Sequence, residues 1–302
     1  MTSGRFAPDK GLTRRMVTTM FLLGLLYVVF VAVLIALGVK AVTVLVIAVG
    51  FLLLQYFLSD KIALFAMNAK VVEPAQAPEL HGLVDRLSAM ADMPKPRVAI
   101  ADSDVPNAFA TGRNQKNSVV CVTTGLLRRL TPEELEGVLA HEMSHVAHRD
   151  VAVMTIASFL GLVAGLITRF GLQFGLVGGR DRRGNNAVPV FLVVVLVSAV
   201  VYAVSFLLTR ALSRYRELSA DRAGALLTGR PSALASALTK VSGDMAQIPT
   251  RDLRQAEPFN AFFLVPAFAQ GFSLTSLFAT HPPLERRLEQ LGQISAQLSR
   301  GV

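Results

Sequence analysis

The sequence has no tryptophan, a single cysteine and few charges. One cysteine, Cys121, excludes an intramolecular disulfide framework and any cysteine-rich metal knuckle. Without tryptophan, anchoring at a membrane interface falls to Tyr, Phe, Lys and Arg. Charged residues make up 17% of the chain, against about 25% in an ordinary soluble domain. Apolar residues make up 52%, which excludes a disordered chain. The charge that is present leans basic, with 30 Lys and Arg against 21 Asp and Glu, a net +9 over 302 residues. That length accommodates one large domain or two smaller ones.

The apolar residues are gathered into runs. Residues 16–39, 41–59, 151–168 and 184–209 contain no Asp, Glu, Lys or Arg. A bilayer crossing takes about 20 mostly apolar residues, so each run reads as a membrane helix, and the four pair into two hydrophobic helical hairpins. The first run exceeds the ~7–15-residue apolar core of a signal peptide. The basic N-terminus (Arg5, Lys10, Arg14, Arg15) is expected to stay cytoplasmic, and an even number of crossings returns the chain to that side. Arg180, Arg182 and Arg183 between the third and fourth runs break the positive-inside rule if that loop faces outward. The second hairpin therefore either spans fully or dips and returns. Membrane lipids are an expected partner, because anionic head groups attract the flanking basic residues. No basic helix with stacking aromatics is present, so no nucleic-acid partner is expected. Residues 258–280 are uncharged and Phe-rich, and they read as a loop packed on the domain or lying at the interface.

Between the hairpins, residues 62–150 read as a soluble α+β piece. Pro78 to Met90 forms an amphipathic pattern with Leu80, Leu83, Val84 and Leu87 on one face. The stretches RVAIA (97–101) and SVVCVT (118–123) read as strands, with a turn-rich connector before the second. Thr131, Pro132 and Glu134 predict a capping box with proline at the first helical position. Leu130 and Leu135 are placed for a hydrophobic staple. The helix that follows carries ELEGVLAHEMSHVAHRD and is expected to run without a breaker into the third apolar run. The resulting division is a basic cytoplasmic N-terminus (1–15), a transmembrane hairpin (16–59), a first part of a catalytic domain (60–150), a second hydrophobic hairpin (151–209) and a second part of the catalytic domain (210–302).

That helix contains His141-Glu142-Met143-Ser144-His145, an HExxH motif. Spacing of i and i+4 puts both imidazoles on one face, one turn apart, where they can grip a zinc ion. Glu142 is placed beside the metal, ready to deprotonate a water that the metal activates. A third protein ligand is needed. His148 roughly shares the face, but three ligands from one straight helix crowd poorly around a tetrahedral ion, and a structural or supporting role suits it better. The better candidate is Glu217, which with Asp221 lies at i and i+4 on a later helix. There Asp221 can orient a ligand imidazole. The alternative is a solvated charged face shared with Arg214, Arg216 and Arg222. The even number of intervening apolar runs allows Glu217 to meet His141.

Five motifs now stand in order: PNAFATG (106–112), TGLL (124–127), LAHEMSHVAHRD (139–150), SRYRELSAD (213–221) and THPPLERR (280–287). With them, nearly the whole chain resembles the HtpX family of integral-membrane zinc proteases, relatives of the CAAX prenyl endopeptidases. The resemblance implies a mainly α integral membrane protein whose two hairpins accompany an α+β, zincin-like (gluzincin-type) catalytic domain with a small sheet. It implies one zinc ion per chain on His141, His145 and Glu217, with Glu142 as base and Asp221 supporting the ligands. It also implies substrate backbone binding along Asn107, Ala108, Phe109 and Ala110. A strand edge suits that task because an extended peptide can add to it. His281 or Arg287 near zinc can stabilise an oxyanion. Equally, Pro282 and Pro283 can simply open a helix, and Arg287 can anchor Asp221 or another acid. The expected activity is cleavage of membrane or misfolded proteins on the cytoplasmic side of the cell (inner) membrane, in quality control under stress.

Two other classes compete. A transporter would carry ionisable residues inside its apolar segments, and these runs have none. A catalytically silent zinc-binding membrane scaffold or sensor would favour a closed four-ligand site, whereas three ligands beside an intact Glu142 favour catalysis.

Overall fold

The structure, a computed structural model, describes residues 10–37, 67–150, 163–169, 187–247 and 281–300, with scattered positions in 42–65 and 153–161. The arginine-bearing loop at 180–183 and the Phe-rich stretch 258–280 lie outside the described residues. The chain divides into two compact units. One comprises residues 1–13, 57–152 and 213–302, and the other residues 14–56 and 153–212.

The first unit holds a four-stranded mixed sheet and most of the shorter helices. Its strands are β1 (Ala69–Val71), β2 (Arg97–Ala101), β3 (Ala108–Gly112) and β4 (Ser118–Thr123), in the order β1-β2-β4-β3. β2 and β4 run parallel, and β1 and β3 close the two edges antiparallel. β4 is buried along its whole length, which is why SVVCVT is a near-continuous apolar run rather than an alternating one. β3 pairs with β4 through Ala108↔Val122 and Ala110↔Val120 and forms one edge of the sheet.

Helix α2 (Pro78–Ala91) lays Leu80, Val84 and Leu87 into the core. The short helix α3 (Thr124–Arg129) follows β4 directly, capped by the Thr123 hydroxyl accepting from Leu126 N–H. Helix α4 (Pro132–Ala147) carries the HExxH motif and has the capping box read from the sequence. Thr131 Oγ1 accepts from Glu134 N–H at 3.4 Å, and Glu134 Oε2 accepts from Thr131 N–H at 2.9 Å. Every residue of α4 from Glu134 to Val146 is buried, so the helix threads the core instead of covering it. Leu135 belongs to that core together with Val98, Val120, Leu139 and Leu238, and the partly buried Leu130 packs against it.

The expected uninterrupted run from α4 into the third apolar segment is not observed. The helix ends at Ala147, and Arg149 takes a left-handed conformation at φ 57°. An arginine in that region is uncommon and carries a steric cost, and no glycine or proline announces the break in the sequence.

A 42-residue helix, α5 (Ala187–Thr228), gives its residues from 213 onward to the first unit. Helices α6 (Pro231–Gln247) and α7 (Leu284–Ser299) complete that unit, with Leu234, Leu238, Leu291 and Ile294 in the core.

In the second unit, α1 (Lys10–Ala36) and the earlier part of α5 are apolar nearly all round, and the described positions between 153 and 169 are helical. Leu23, Tyr27, Ala157 and Leu212 form one cluster, and Phe30, Leu34, Ala164 and Val201 another. The Tyr27 hydroxyl donates to the Ala157 carbonyl at 2.5 Å. Among the described residues, two helical stretches, Thr13–Ala36 and Leu192–Thr228, are long and apolar enough to cross a membrane. Large apolar side chains stand on their outer faces, with Phe21 68% and Leu196 66% exposed. A water-facing helix would place polar residues there.

Candidate metal centre

α4 presents His141 and His145 one turn apart on one face, and α5 presents Glu217 opposite them. All three are buried. His141 Nε2 lies 3.3 Å from His145 Nε2, Glu217 Oε1 lies 3.4 Å from His145 Nε2, and Glu217 Oε2 lies 3.6 Å from His141 Nε2. Three donors at 2.0–2.1 Å from a tetrahedral ion stand about 3.3–3.4 Å apart. The side chains thus already hold the separations that a zinc ion requires, and two imidazoles with one carboxylate are a donor set that zinc accepts.

The helices can approach this closely because Gly224 faces α4. A Cβ at that position would lie 2.9 Å from the backbone nitrogen of His141.

Each of the two imidazoles is backed by a carboxylate. Nδ1 of His141 is 2.9 Å from Oδ1 of Asp221. Asp221 is in turn gripped by Arg287, whose Nε and Nη2 donate to its two oxygens at 2.7 Å each. Nδ1 of His145 is 2.6 Å from Oδ2 of Asp150, and Arg216 reaches the same oxygen at 3.0 Å. Burial raises the Asp150 carboxyl, but the Arg216 guanidinium and the His145 ring override it and hold that carboxyl below the ordinary range. Burial likewise opposes charge on His145, yet the Asp150 and Glu217 carboxylates push its pKa up to about 10. The surroundings therefore favour positive charge at this place, whether a proton or a divalent ion brings it.

Glu142 is buried next to this trio, and its Oε2 accepts a 3.0 Å hydrogen bond from the Ala110 N–H of β3. Burial pushes the Glu142 carboxyl up, with the His141 and His145 imidazoles pulling the other way. A carboxylate of raised pKa at the edge of a sheet is suited to exchanging protons with a peptide laid along that edge. Asn107 precedes β3, its N–H donating to Thr123 Oγ1 at 2.9 Å, and Ala108 and Phe109 are buried within the strand.

His281 is buried with its Nδ1 3.0 Å from Glu217 Oε2. His148 caps α4, and its Nδ1 lies 2.8 Å from the Ser144 carbonyl oxygen, apart from the three converging donors. The structure thus brings His141, Glu142, His145, Glu217, Asp221, His281 and Arg287 together and sets Ala110 against Glu142. Three contributors were not singled out by sequence reasoning. Arg216 reads there only as part of a charged face, Asp150 falls off the ligand face of an unbroken helix, and Gly224 matters only once two helices are known to touch.

Comparison with known proteins identifies the family. Residues 74–295 match Peptidase family M48. Protease HtpX homolog 1 of Streptomyces coelicolor is 66% identical over 294 residues, covering 97% of this chain and 96% of its own. Protease HtpX homolog of Moorella thermoacetica is 55% identical over 294 residues, covering 96% of each chain. Protease HtpX homolog 2 of Methanosarcina mazei is 51% identical over 291 residues, covering 96% of this chain and 98% of its own. In fold, the chain is similar to the crystal structure of S. mikatae Ste24p, with a TM-score of 0.54 at 20% identity; the match covers 89% of this chain and spans 62% of that one. The chain belongs to the HtpX proteases of peptidase family M48 and is a metalloprotease.

Proposed function

We propose that this chain is a multi-pass membrane zinc endopeptidase that cleaves membrane or misfolded proteins at the cytoplasmic face, as a quality-control enzyme. The observation that carries this reading is the convergence of His141, His145 and Glu217 at tetrahedral spacing, with Glu142 between them and an edge strand. His141, His145 and Glu217 would hold one zinc ion. When bound, zinc lowers the pKa of water toward about 7 and polarises a carbonyl. Glu142 takes the proton from the attacking water and later delivers it to the leaving amine. Asn107 to Ala110 would receive the substrate backbone as an added strand, which places the scissile bond beside Glu142. Asp221 orients His141, and Arg287 fixes Asp221. His281, tied to Glu217, would offer a hydrogen bond to the developing oxyanion.

The apolar outer faces of α1 and α5 support membrane residence. The hairpin arrangement (16–59 and 151–209), the cytoplasmic orientation of a catalytic domain built from 60–150 and 210–302, and its zincin-like character belong to the same proposal.

Purified wild type and Glu142→Gln, compared in detergent, test it. Equal zinc with cleavage of an unfolded protein only by the wild type supports a catalytic centre. Equal cleavage by both would remove Glu142 from the mechanism. Zinc in both with cleavage in neither would favour the silent scaffold or sensor.

A further inference from the structure

His141 is backed by Asp221 and Arg287, and His145 is backed by Asp150 and Arg216. The two imidazoles are therefore held by parallel His–Asp–Arg relays. We propose that Asp150 is a positioning residue that fixes the His145 ring with its Nε2 turned toward His141 and Glu217, and that Arg216 holds Asp150 in place. The proposal rests on the zinc reading of the centre and deepens it.

Geometry carries the inference. In an unbroken helix a residue five positions after His145 would lie well off its face, since each residue turns about 100°. Arg149 at φ 57° turns the chain back, so that Asp150 meets Nδ1 of His145 at 2.6 Å. At 2.6 Å this contact is shorter than the 2.9 Å contact between His141 and Asp221. With Nδ1–H donated to Asp150, the tautomer is set and the Nε2 lone pair faces the other donors. A carboxylate only 3% exposed would be expensive to keep without a partner. Arg216 supplies one at 3.0 Å, from the position next to Glu217 on α5. One turn of α5 thus provides a ligand and the clamp of another ligand's support. The left-handed Arg149 is a local strain at the hinge of this arrangement, of the kind that persists where the surroundings over-determine it.

The test is zinc affinity, read by competition against a chelator on full-length protein in detergent, alongside the absorption of the cobalt-substituted protein. Asp150→Ala is expected to weaken zinc binding about 10–100-fold. Asp150→Asn retains an acceptor oxygen and the side-chain shape, so it reports even if the alanine variant does not fold. It is expected to lose less affinity, in the order Asp, Asn, Ala, while shifting the cobalt ligand-field bands. Arg216→Lys, which retains the charge, should lie closer to wild type than Arg216→Gln does. Wild-type affinity and unshifted cobalt bands in Asp150→Asn would overturn the proposal, as would equal losses in the two Arg216 variants for the part assigned to Arg216. A wild type that binds no zinc would sink the metal reading as well, and that failure appears in the wild type rather than in the variants.

Discussion

The Arg287 guanidinium holds both carboxylate oxygens of Asp221 at 2.7 Å, with Arg287 2% and Asp221 0% exposed. Two charges this deeply buried are stable only as a hydrogen-bonded pair. The pair joins α7 to α5 at the turn that also carries Glu217, so α7 braces the candidate metal centre.

Removing one partner leaves the other charge buried alone. Arg287→Ala is expected to cost about 3–5 kcal/mol of stability and to lower the zinc occupancy of whatever protein folds. Arg287→Lys retains the charge but loses the two-point grip, so it should fall between the alanine variant and wild type. Thermal unfolding in detergent with zinc quantified on the folded fraction checks both, and a wild-type melting temperature in Arg287→Ala would contradict this account.

Gly224→Ala sets two effects against each other. Alanine gains up to about 1 kcal/mol of helix propensity over glycine. Its Cβ, however, would meet the His141 backbone at 2.9 and 3.1 Å, and backbone yields less readily than a side-chain tip. Overpacking of this kind costs about 1–3 kcal/mol, so net destabilisation with weakened zinc binding is expected. A more stable variant with intact zinc affinity would show that α4 and α5 do not touch at this point.

Glu134 links the start of α4 to α6. Its carboxylate accepts from Thr131 N–H, from the Ser236 hydroxyl at 2.6 Å and from Lys240 at 2.8 Å. Burial alone would raise its pKa, but these donors together lower it. A carboxyl whose folded pKa is depressed stabilises the fold above its unfolded value, and that contribution is lost as pH falls through the folded value. Glu134→Gln should therefore cost about 1–2 kcal/mol at neutral pH. The gap from wild type should close below about pH 4, near and under the ordinary glutamate pKa. Melting curves across pH read this directly, and a gap that is constant with pH would remove the charge from the explanation.

The sequence was most legible where a signal is local. Thr131, Pro132 and Glu134 announce a helix start because capping is settled within four residues. His141 and His145 announce a metal face because helical spacing alone puts them together. Glu217 was reachable through chain topology and through the family motifs, and Arg287 as an anchor for Asp221 was one of two open readings. The end of α4 was illegible because it depends on an arginine, rather than a glycine, in the left-handed region. With that break hidden, nothing local joins Asp150 to His145, and Arg216 reads only as part of a charged face. The strand order β1-β2-β4-β3 was also hidden, because the parallel pairing of β2 with β4 and the edge position of β3 are non-local choices. Gly224 carries meaning only through a contact between two helices distant in sequence.

The most direct measurement is zinc stoichiometry in wild type and Glu217→Ala after exhaustive chelation, dialysis and return of stoichiometric Zn²⁺. If His141, His145 and Glu217 hold one ion, the wild type recovers one zinc per chain together with its proteolytic activity, and Glu217→Ala recovers neither while remaining folded. Full zinc recovery and cleavage by Glu217→Ala would contradict the account, because the third ligand would then have to come from elsewhere.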